Sequence, residues 1–341
     1  MSPLVESYHA AAARGGEVTV RLMLAGRPVL LNVAGKQLAD FVVPAFAHLR
    51  HDRADLGEAD FSLYTWDAES TGVGVPNLRR HETTHFLHHD AGSEITTAVE
   101  RNGRSAVVFL RRHSGLPEWE YAHPLRRAIG TWARLRGLAI IHAAVIGDQS
   151  GAAAVTGPGG SGKSTTALAW IAAGGRTAGD DYAAIEPGLP PIAHSVFATM
   201  RLHLDHAARF SGLLPGVDRI EQQDSGRQKG TVNVAALDCF MPSMPLKSLL
   251  LAHVGDGDTS RVSPMSPRAA MLALMKGSMA QSLSADVDAG AGLQAGFRSM
   301  AELCRSLPCG RLEIGGDPFR IPEVIRDWLA AVGDNPQVSL Q

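Results

Sequence analysis

An eight-residue glycine-rich segment, Gly157-Pro-Gly-Gly-Ser-Gly-Lys-Ser164, constrains the fold of this chain more than any other feature. It fits the pattern G-x-x-x-x-G-K-[ST] at every fixed position. An apolar run at residues 152–156 precedes it, and the helix predicted over residues 163–173 ends at a pair of glycines. The sequence therefore predicts a strand, a tight loop and a helix in immediate succession.

The composition of this loop is typical of phosphate binding. Its glycines allow successive backbone N–H groups to turn toward phosphate oxygens, and the helix N-terminus adds the positive end of a dipole. We expect Lys163 to reach the β- and γ-phosphates and the hydroxyl of Ser164 to hold Mg²⁺. The motif does not distinguish a kinase from an ATPase, a GTPase or a regulatory nucleotide-binding module. The predicted nucleotide-binding residues here are Gly157, Pro158, Gly159, Gly160, Ser161, Gly162, Lys163, Ser164 and Thr165.

Two further sequence features lie on either side of the loop. Asp180-Asp181 follows the helix, where the chain is expected to return beside the loop. One carboxylate of such a pair can help to hold a metal while the other accepts the proton of an attacking hydroxyl. His142 lies in an apolar run at residues 138–146, predicted as one strand. Its apolar neighbours favour a core histidine, but a position near the strand end would aim it at the phosphate or at an aspartate.

His142, the loop at 157–164 and Asp180-Asp181 resemble, in that order, the catalytic core of the HPr kinase/phosphorylase family. That family is itself similar in fold to phosphoenolpyruvate carboxykinase. The resemblance covers about residues 120 to 330 and extends through segments 195–202, 262–267 and 307–313, which look like the HPr-kinase-related proteins of peptide-modification gene clusters, including lasso peptide kinases. It implies an α/β fold with a P-loop core of the HPr kinase/phosphoenolpyruvate carboxykinase type.

The resemblance also implies a role for each site residue, with ATP and Mg²⁺ as cofactors. Asp180 would deprotonate the acceptor hydroxyl, Asp181 would organise Mg²⁺ with Ser164, and His142 would orient an aspartate or contact phosphate. The division of roles between the two aspartates stays open. Arg201 and Lys229 lie in segments similar to family regions near the site, so each is a candidate phosphate contact. The alternative for both is a solvated surface charge.

The expected acceptor follows from the same resemblance. It is a serine hydroxyl of a peptide or protein, namely the C-terminal serine of a lasso-type precursor peptide, and a homo-oligomer is compatible with the resemblance. HPr is not the expected substrate, because the C-terminal pattern by which true HPr kinases dock their carrier protein is not found. Two alternatives are a kinase for a small-molecule hydroxyl and a non-catalytic ATP-binding regulatory module. A module that only binds ATP would need neither the Asp180-Asp181 pair nor His142.

The bulk composition predicts a globular protein of two domains. The chain has 341 residues, of which 45% are hydrophobic and 19% charged. We assign residues 1–120 to a smaller N-terminal α+β domain, with a conjectured role in positioning the substrate, and residues 121–341 to the kinase domain. With 32 basic and 34 acidic residues, nothing indicates a nucleic-acid partner. Without a signal peptide or a long apolar run, we expect a cytoplasmic location and no membrane association.

Periodicity and turn residues predict the remaining elements. Residues 50–105 are polar, and the histidine-rich segment 79–90 is expected to be solvated rather than to bind a metal. Residues 286–292 are rich enough in Ala, Gly and Asp to form a mobile loop. The predicted elements are a hairpin at 17–33, helices at 38–49, 125–136, 267–275 and 322–332, and strands at 105–110, 183–186, 246–253 and 310–314.

Overall fold

The computed structural model describes residues 2–51, 57–76, 85–222, 228–282 and 289–334. The chain forms two compact units, Met1–Gly137 with Ser284–Ala289, and Leu138–Leu283 with Gly290–Gln341. Both units combine helices with β-sheet, so the fold is of the mixed α/β class. None of the helices in the described part of the chain combines the length and apolar character needed to cross a membrane.

The first unit is built on one six-stranded sheet. Its order is β1-β2-β3-β6-β5-β4, in which the pairs β2–β3 and β3–β6 are parallel and the others antiparallel. The predicted hairpin is confirmed as β1–β2, with Ala25 and Gly26 at its turn. The elements are α1 (Ser2–Gly15), β1 (Glu17–Leu24), β2 (Arg27–Ala34), α2 (Lys36–Val42), a 3₁₀ helix (Val43–Leu49), β3 (Phe61–Asp67), α3 (Ala68–Thr71), β4 (His85–Asp90), β5 (Ile95–Glu100), β6 (Ser105–Leu110), α4 (Glu118–Ala122) and α5 (Arg126–Leu135).

Six elements of this unit were not predicted: α1, β3, α3, β4, β5 and α4. Helix α1 buries Leu4 and Tyr8 in a cluster with Trp66 of β3. In the polar region, β5 pairs on both sides, with β4 and with β6, and its threonines are buried. The expectation of a solvated histidine-rich segment is wrong for its described part, because residues 85–90 form β4 and His85 is 7% exposed. His81 lies outside the described residues.

Helix α5 packs within the first unit. The ring of Trp132 stacks on Phe61 of β3 at a centroid distance of 5.5 Å, and its indole N–H donates to Asp60 over 3.2 Å. Arg136 donates to the same carboxylate over 2.9 Å. These contacts explain why the units divide after Gly137, whereas the sequence pattern predicts a boundary at residue 120.

The second unit contains a nine-stranded and a three-stranded sheet. The first has the order β10-β8-β9-β16-β12-β11-β7, with β18 also pairing with β16 and β17 pairing with β18; the second has the order β13-β15-β14. The elements are β7 (Ala139–Ile141), β8 (Ala144–Asp148), β9 (Gly151–Thr156), α6 (Lys163–Ala172), β10 (Arg176–Gly179), β11 (Ala183–Glu186), β12 (Ile192–Ser195), β13 (Thr199–His203), α7 (Leu204–Ala207), β14 (Arg219–Gln222), β15 (Gln228–Asn233), β16 (Ser243–Val254), β17 (Arg261–Pro264), α8 (Pro267–Ser282), α9 (Ala289–Ser306), β18 (Cys309–Ile314) and α10 (Ile321–Asp334), with 3₁₀ turns at Ala208–Phe210, Ala235–Leu237 and Pro318–Arg320.

Strand β9 lies at the centre of the large sheet and is buried on both faces. Val155 faces a cluster that includes residues of α6 and α10, while Ala152 and Ala154 face a cluster that includes residues of α8 and α9. Such two-sided burial explains why the sequence of this strand is a continuous apolar run rather than an alternating one. The central strand therefore fixes the position of the loop that follows it.

The predicted strand at 138–146 is not continuous, and this correction matters for the site. It divides into β7 and β8 at His142-Ala143, because β7 pairs with β11 whereas β8 pairs with β9 and β10. The chain changes partners again between β10 and β11, across residues 180–182. Of the segment predicted to be a mobile loop, residues 286–288 lie outside the described residues and residues 289–292 begin α9.

Candidate functional site

The ends of five neighbouring strands lie along one edge of the large sheet. β9, β16 and β18 are parallel and finish there, β8 is antiparallel to β9 and starts there, and β10 finishes beside the start of β8. The glycine-rich loop leaves β9 in the middle of this row. His142 and Asp180 lie on its β8–β10 side, and Val254 and Ile314 end the strands on its β16–β18 side.

Three glycines of the loop, Gly157, Gly160 and Gly162, have a positive φ, and at Gly157 and Gly162 a Cβ would also clash. Gly157 has φ of +153°, and a Cβ there would lie 2.5 Å from the Ser161 hydroxyl. Gly162 has φ of +98°, and a Cβ there would lie 2.4 Å from Cδ1 of Ile314. By contrast, a Cβ on Gly159 would meet no atom within 4 Å. The predicted succession of strand, tight loop and helix is present, and the loop is open at its tip.

Lys163, the first residue of α6, folds back into the loop. Its ammonium group donates to the carbonyl oxygens of Gly157 over 2.9 Å and Pro158 over 3.3 Å. Burial lowers the pKa of Lys163, while the carboxylates of Asp181 and Asp180 oppose this shift. A cation is thus held between the loop and the acidic pair.

Asp180 is the most unusual group of the site. It is 3% exposed, and neither of its carboxyl oxygens has a donor of the described residues in good hydrogen-bond geometry, although the Ser164 hydroxyl lies close enough to favour its ionised form. Burial, followed by the charge of Asp181, raises the pKa of Asp180 to about 8, although Ser164, Lys163 and Lys229 act in the opposite direction. A buried carboxyl group with so little hydrogen bonding is costly in a structural role, so this arrangement suits a binding or catalytic one.

His142 contacts Asp181 from across the break between strands. Nε2 of the ring lies 3.2 Å from Oδ1 of the carboxylate. The backbone carbonyl of His142 accepts a hydrogen bond from the Thr156 hydroxyl over 3.2 Å, and its ring lies 5.8 Å from that of Tyr182. Of the two orientations expected from the sequence, the structure shows the one toward an aspartate. Sequence reasoning missed Thr156 and Tyr182, although each directly adjoins a motif.

The hydroxyl groups of the two residues after Lys163 contact β13 and α7. The Ser164 hydroxyl donates to the backbone carbonyl of Arg201 over 3.3 Å, and its effect on the pKa of Asp180 places it beside that carboxyl group as well. The Thr165 hydroxyl lies 3.1 Å from Nδ1 of His206. Ser164 therefore lies between Asp180 and β13.

The two basic candidates from the sequence are placed differently. The guanidinium of Arg201 lies 2.5 Å from the Glu221 carboxylate and its side chain is 17% exposed, so its charge is already neutralised by a partner. Arg201 is therefore a paired and largely buried cation rather than a solvated surface charge. Lys229 acts electrostatically on both Asp180 and Lys163, and it is half-buried. Of the pair, Lys229 is the one that the structure brings to the acidic residues.

A separate cluster of possible metal ligands lies in the first unit. Asp67, Glu69 and His113 present ligand atoms that are all within 4.8 Å of one another. Each already has a protein partner: Asp67 accepts from Ser70 and contacts His113, and Glu69 accepts from Ser114. These hydrogen bonds account for the cluster as a structural tie at the end of β3.

Comparison with known proteins gives one kind of match. No family model matches the chain, and no curated protein sequence matches it. Among solved structures, the HPr(Ser) kinase/phosphatase from Coxiella burnetii is similar at a TM-score of 0.30 and 12% identity, over 57% of this chain and 98% of that chain. A structural similarity at this TM-score does not indicate a function. The function proposed below is therefore based on the geometry of the site.

Proposed function

We propose that this chain is a magnesium-dependent kinase that transfers the γ-phosphoryl group of ATP to a hydroxyl group. One observation carries the proposal. A buried carboxyl group, Asp180, lies at the same sheet edge as a glycine loop and its lysine, with a second carboxylate and a histidine beside it. Phosphoryl transfer depends on positioning and on charge of this kind.

The residues at the loop fit a nucleotide with its metal ion. Ser161 has a buried hydroxyl without a hydrogen-bond partner among the described residues, and the buried carboxyl group of Asp180 has only the Ser164 hydroxyl close by to favour its ionised form. In the proposal, the loop N–H groups and Lys163 hold the β- and γ-phosphates, and Ser164 and Asp181 hold Mg²⁺. Bound there, the metal would supply neutralisation of phosphate charge.

Asp180 is the proposed general base. The acceptor hydroxyl gives its proton to a carboxyl oxygen of Asp180 as its own oxygen bonds to the γ-phosphorus and the bond to the ADP oxygen breaks. A base works best when its pKa lies near the working pH, and the raised pKa of Asp180 meets that condition. The ammonium groups of Lys163 and Lys229 favour its ionised form.

His142 is proposed as a positioning residue. Its ring holds the carboxylate of Asp181, and the Thr156 hydroxyl holds the backbone of His142, so the end of β9 and the acidic pair are tied together. Such a partner fixes the direction of a ligand oxygen without touching the reacting atoms.

The proposed acceptor is a serine hydroxyl of a peptide, and specifically the C-terminal serine of a lasso-type precursor. Acceptor pockets have no motif that recurs between families, so no residue pattern identifies the acceptor directly. The peptide assignment is supported by the sequence resemblance of residues 120 to 330. A small metabolite with a hydroxyl group is the competing acceptor, and the assay below separates the two.

The test is transfer of labelled γ-phosphate from ATP to synthetic peptides that end in serine, with free serine and glycerol as small acceptors. We expect labelled peptide with the wild type and none with Asp180→Asn. The matched control is Asp238→Asn, because Asp238 has a 99% exposed side chain and a left-handed backbone that asparagine tolerates. Labelling of the small acceptors alone would contradict the peptide assignment, and bound ATP without any transfer would contradict the kinase.

A further inference from the structure

We propose that the exposed ring of Phe319, together with the side chain of Val254, forms the platform on which the base of the bound nucleotide stacks. This inference rests on the proposed function, and it adds a second subsite to it. Nothing in the glycine-loop motif specifies where the base lies, so the assignment comes from the order of elements along the sheet edge.

The direction of the nucleotide follows from the position of the acidic pair. Asp180 and His142 lie on the β8–β10 side of the loop, so the transferred phosphate must face that side. The nucleoside must then extend the other way, over the ends of β16 and β18. Two strand spacings of about 4.8 Å separate β9 from β18, which gives roughly 10 Å for the α-phosphate and ribose to cross.

The surface at that end of the edge is apolar and exposed. Val254, the last residue of β16, is 48% exposed, and Phe319, which follows β18 by five residues, is 55% exposed. Ile314 joins this surface to the loop, because its side chain fills the space beside Gly162. The 3₁₀ turn with Phe319 packs against α6, the helix that begins at the loop.

Phe319 is held in place before any ligand binds. Its ring packs on that of Phe210 at a centroid distance of 5.3 Å and an angle of 55°. Its backbone N–H donates to the Asp317 carboxylate over 2.9 Å. A fixed aromatic face with about half of its surface in water is available for stacking, and every nucleobase has a π-face that can stack on it.

Other exposed apolar side chains do not combine these properties. Among the described residues of the second unit, Leu189, Val217, Ile220 and Leu272 are also exposed, but they are aliphatic and offer no ring on which a base could stack. A stacking platform responds to the presence of a base rather than to its identity, so the subsite should accept nucleotides with different bases.

The test compares binding of ATP with binding of inorganic tripolyphosphate, which has the phosphates but no base. We expect Phe319→Ala to weaken ATP binding about tenfold, as loss of one stacking contact does, and to leave tripolyphosphate binding unchanged. Leu189→Ala is the matched control and should change neither. Unchanged ATP binding in Phe319→Ala, or equal losses for both ligands, would overturn the platform.

A second variant guards against a folding defect. In Phe319→Trp, the added fluorescence relative to wild type should be quenched by ATP and not by tripolyphosphate, because only the base contacts the ring. Quenching by both ligands would overturn the inference. If the protein binds tripolyphosphate but ATP does not quench the tryptophan fluorescence, the phosphate loop is supported and the platform is contradicted. If the wild type binds neither ligand, the proposed function itself is contradicted.

Discussion

Nε2 of His142 lies 3.2 Å from Oδ1 of Asp181, and both residues occupy points at which the chain leaves one strand for another. His142 follows β7 and precedes β8, while Asp181 lies between β10 and β11. Because β7 pairs with β11 and β8 with β10, the two changes of partner occur side by side. The histidine and the carboxylate therefore meet as a consequence of sheet topology.

Replacing His142 with alanine should lower kcat about tenfold to a hundredfold, because Asp181 would lose the group that fixes its direction. The KM for ATP should change little, since the loop and Lys163 are untouched. The matched control is His194→Ala, which removes another histidine–carboxylate pair of the same unit, with Glu186 at 2.9 Å. Equal losses of kcat in both variants would show a general structural effect and contradict the positioning role.

The raised pKa of Asp180 predicts how stability changes with pH. Its pKa is about 8 in the folded protein against 3.8 for an ordinary aspartate, so the folded state holds a proton that the unfolded state releases between these values. The contribution of this group is fully present below about pH 4 and is lost as the pH rises to about 8.

Asp180→Asn has no such group, so its melting temperature should rise relative to wild type as the pH is raised from 5 to 8. Thermal unfolding of both proteins over this range, without nucleotide, measures the difference. Asp238→Asn, which changes an exposed carboxylate, should follow the wild type. A constant difference between Asp180→Asn and wild type would mean that Asp180 is ionised throughout.

The sequence was sufficient for the phosphate loop because the requirement there is local. Only glycine tolerates the backbone at Gly162, and the lysine and serine follow within the same helical turn. The break at His142 could not be read from the sequence, because residues 138–146 are apolar apart from His142 itself and the division depends on which distant strands they pair with. The pairing of Arg201 with Glu221 likewise depends on the register of a three-stranded sheet.

Two glycines of the loop should respond differently to alanine. Gly162→Ala places a Cβ against Ile314 in a left-handed conformation, which costs about 1 to 2 kcal/mol from the backbone alone. It should lower both the melting temperature and the affinity for ATP. Gly159→Ala meets no atom within 4 Å, so its melting temperature should equal that of wild type.

The affinity of Gly159→Ala for ATP is the informative quantity. If phosphate occupies the open tip of the loop, the new methyl group intrudes on it and the affinity falls while stability is kept. Calorimetric titration with ATP, alongside thermal unfolding, separates the two effects. An unchanged affinity would place the phosphates elsewhere.

The tie between Asp67 and His113 predicts a purely structural effect in the first unit. Asp67 has a fully buried side chain, and it accepts hydrogen bonds from Ser70 at the start of α3 as well as contacting His113. His113→Ala would leave one oxygen of this buried carboxyl group without its partner, which costs about 1 to 3 kcal/mol in the free energy of unfolding.

Urea unfolding of His113→Ala measures this loss, with Arg104→Ala as the control, since the Arg104–Glu58 pair is 67% and 88% exposed and should contribute less than about 1 kcal/mol. A structural tie needs no metal, so a chelator should not change the stability of the wild type. If chelation lowered it as much as His113→Ala does, the three side chains would instead be ligands of a bound ion, because only then would removing the ion and removing His113 break the same contacts.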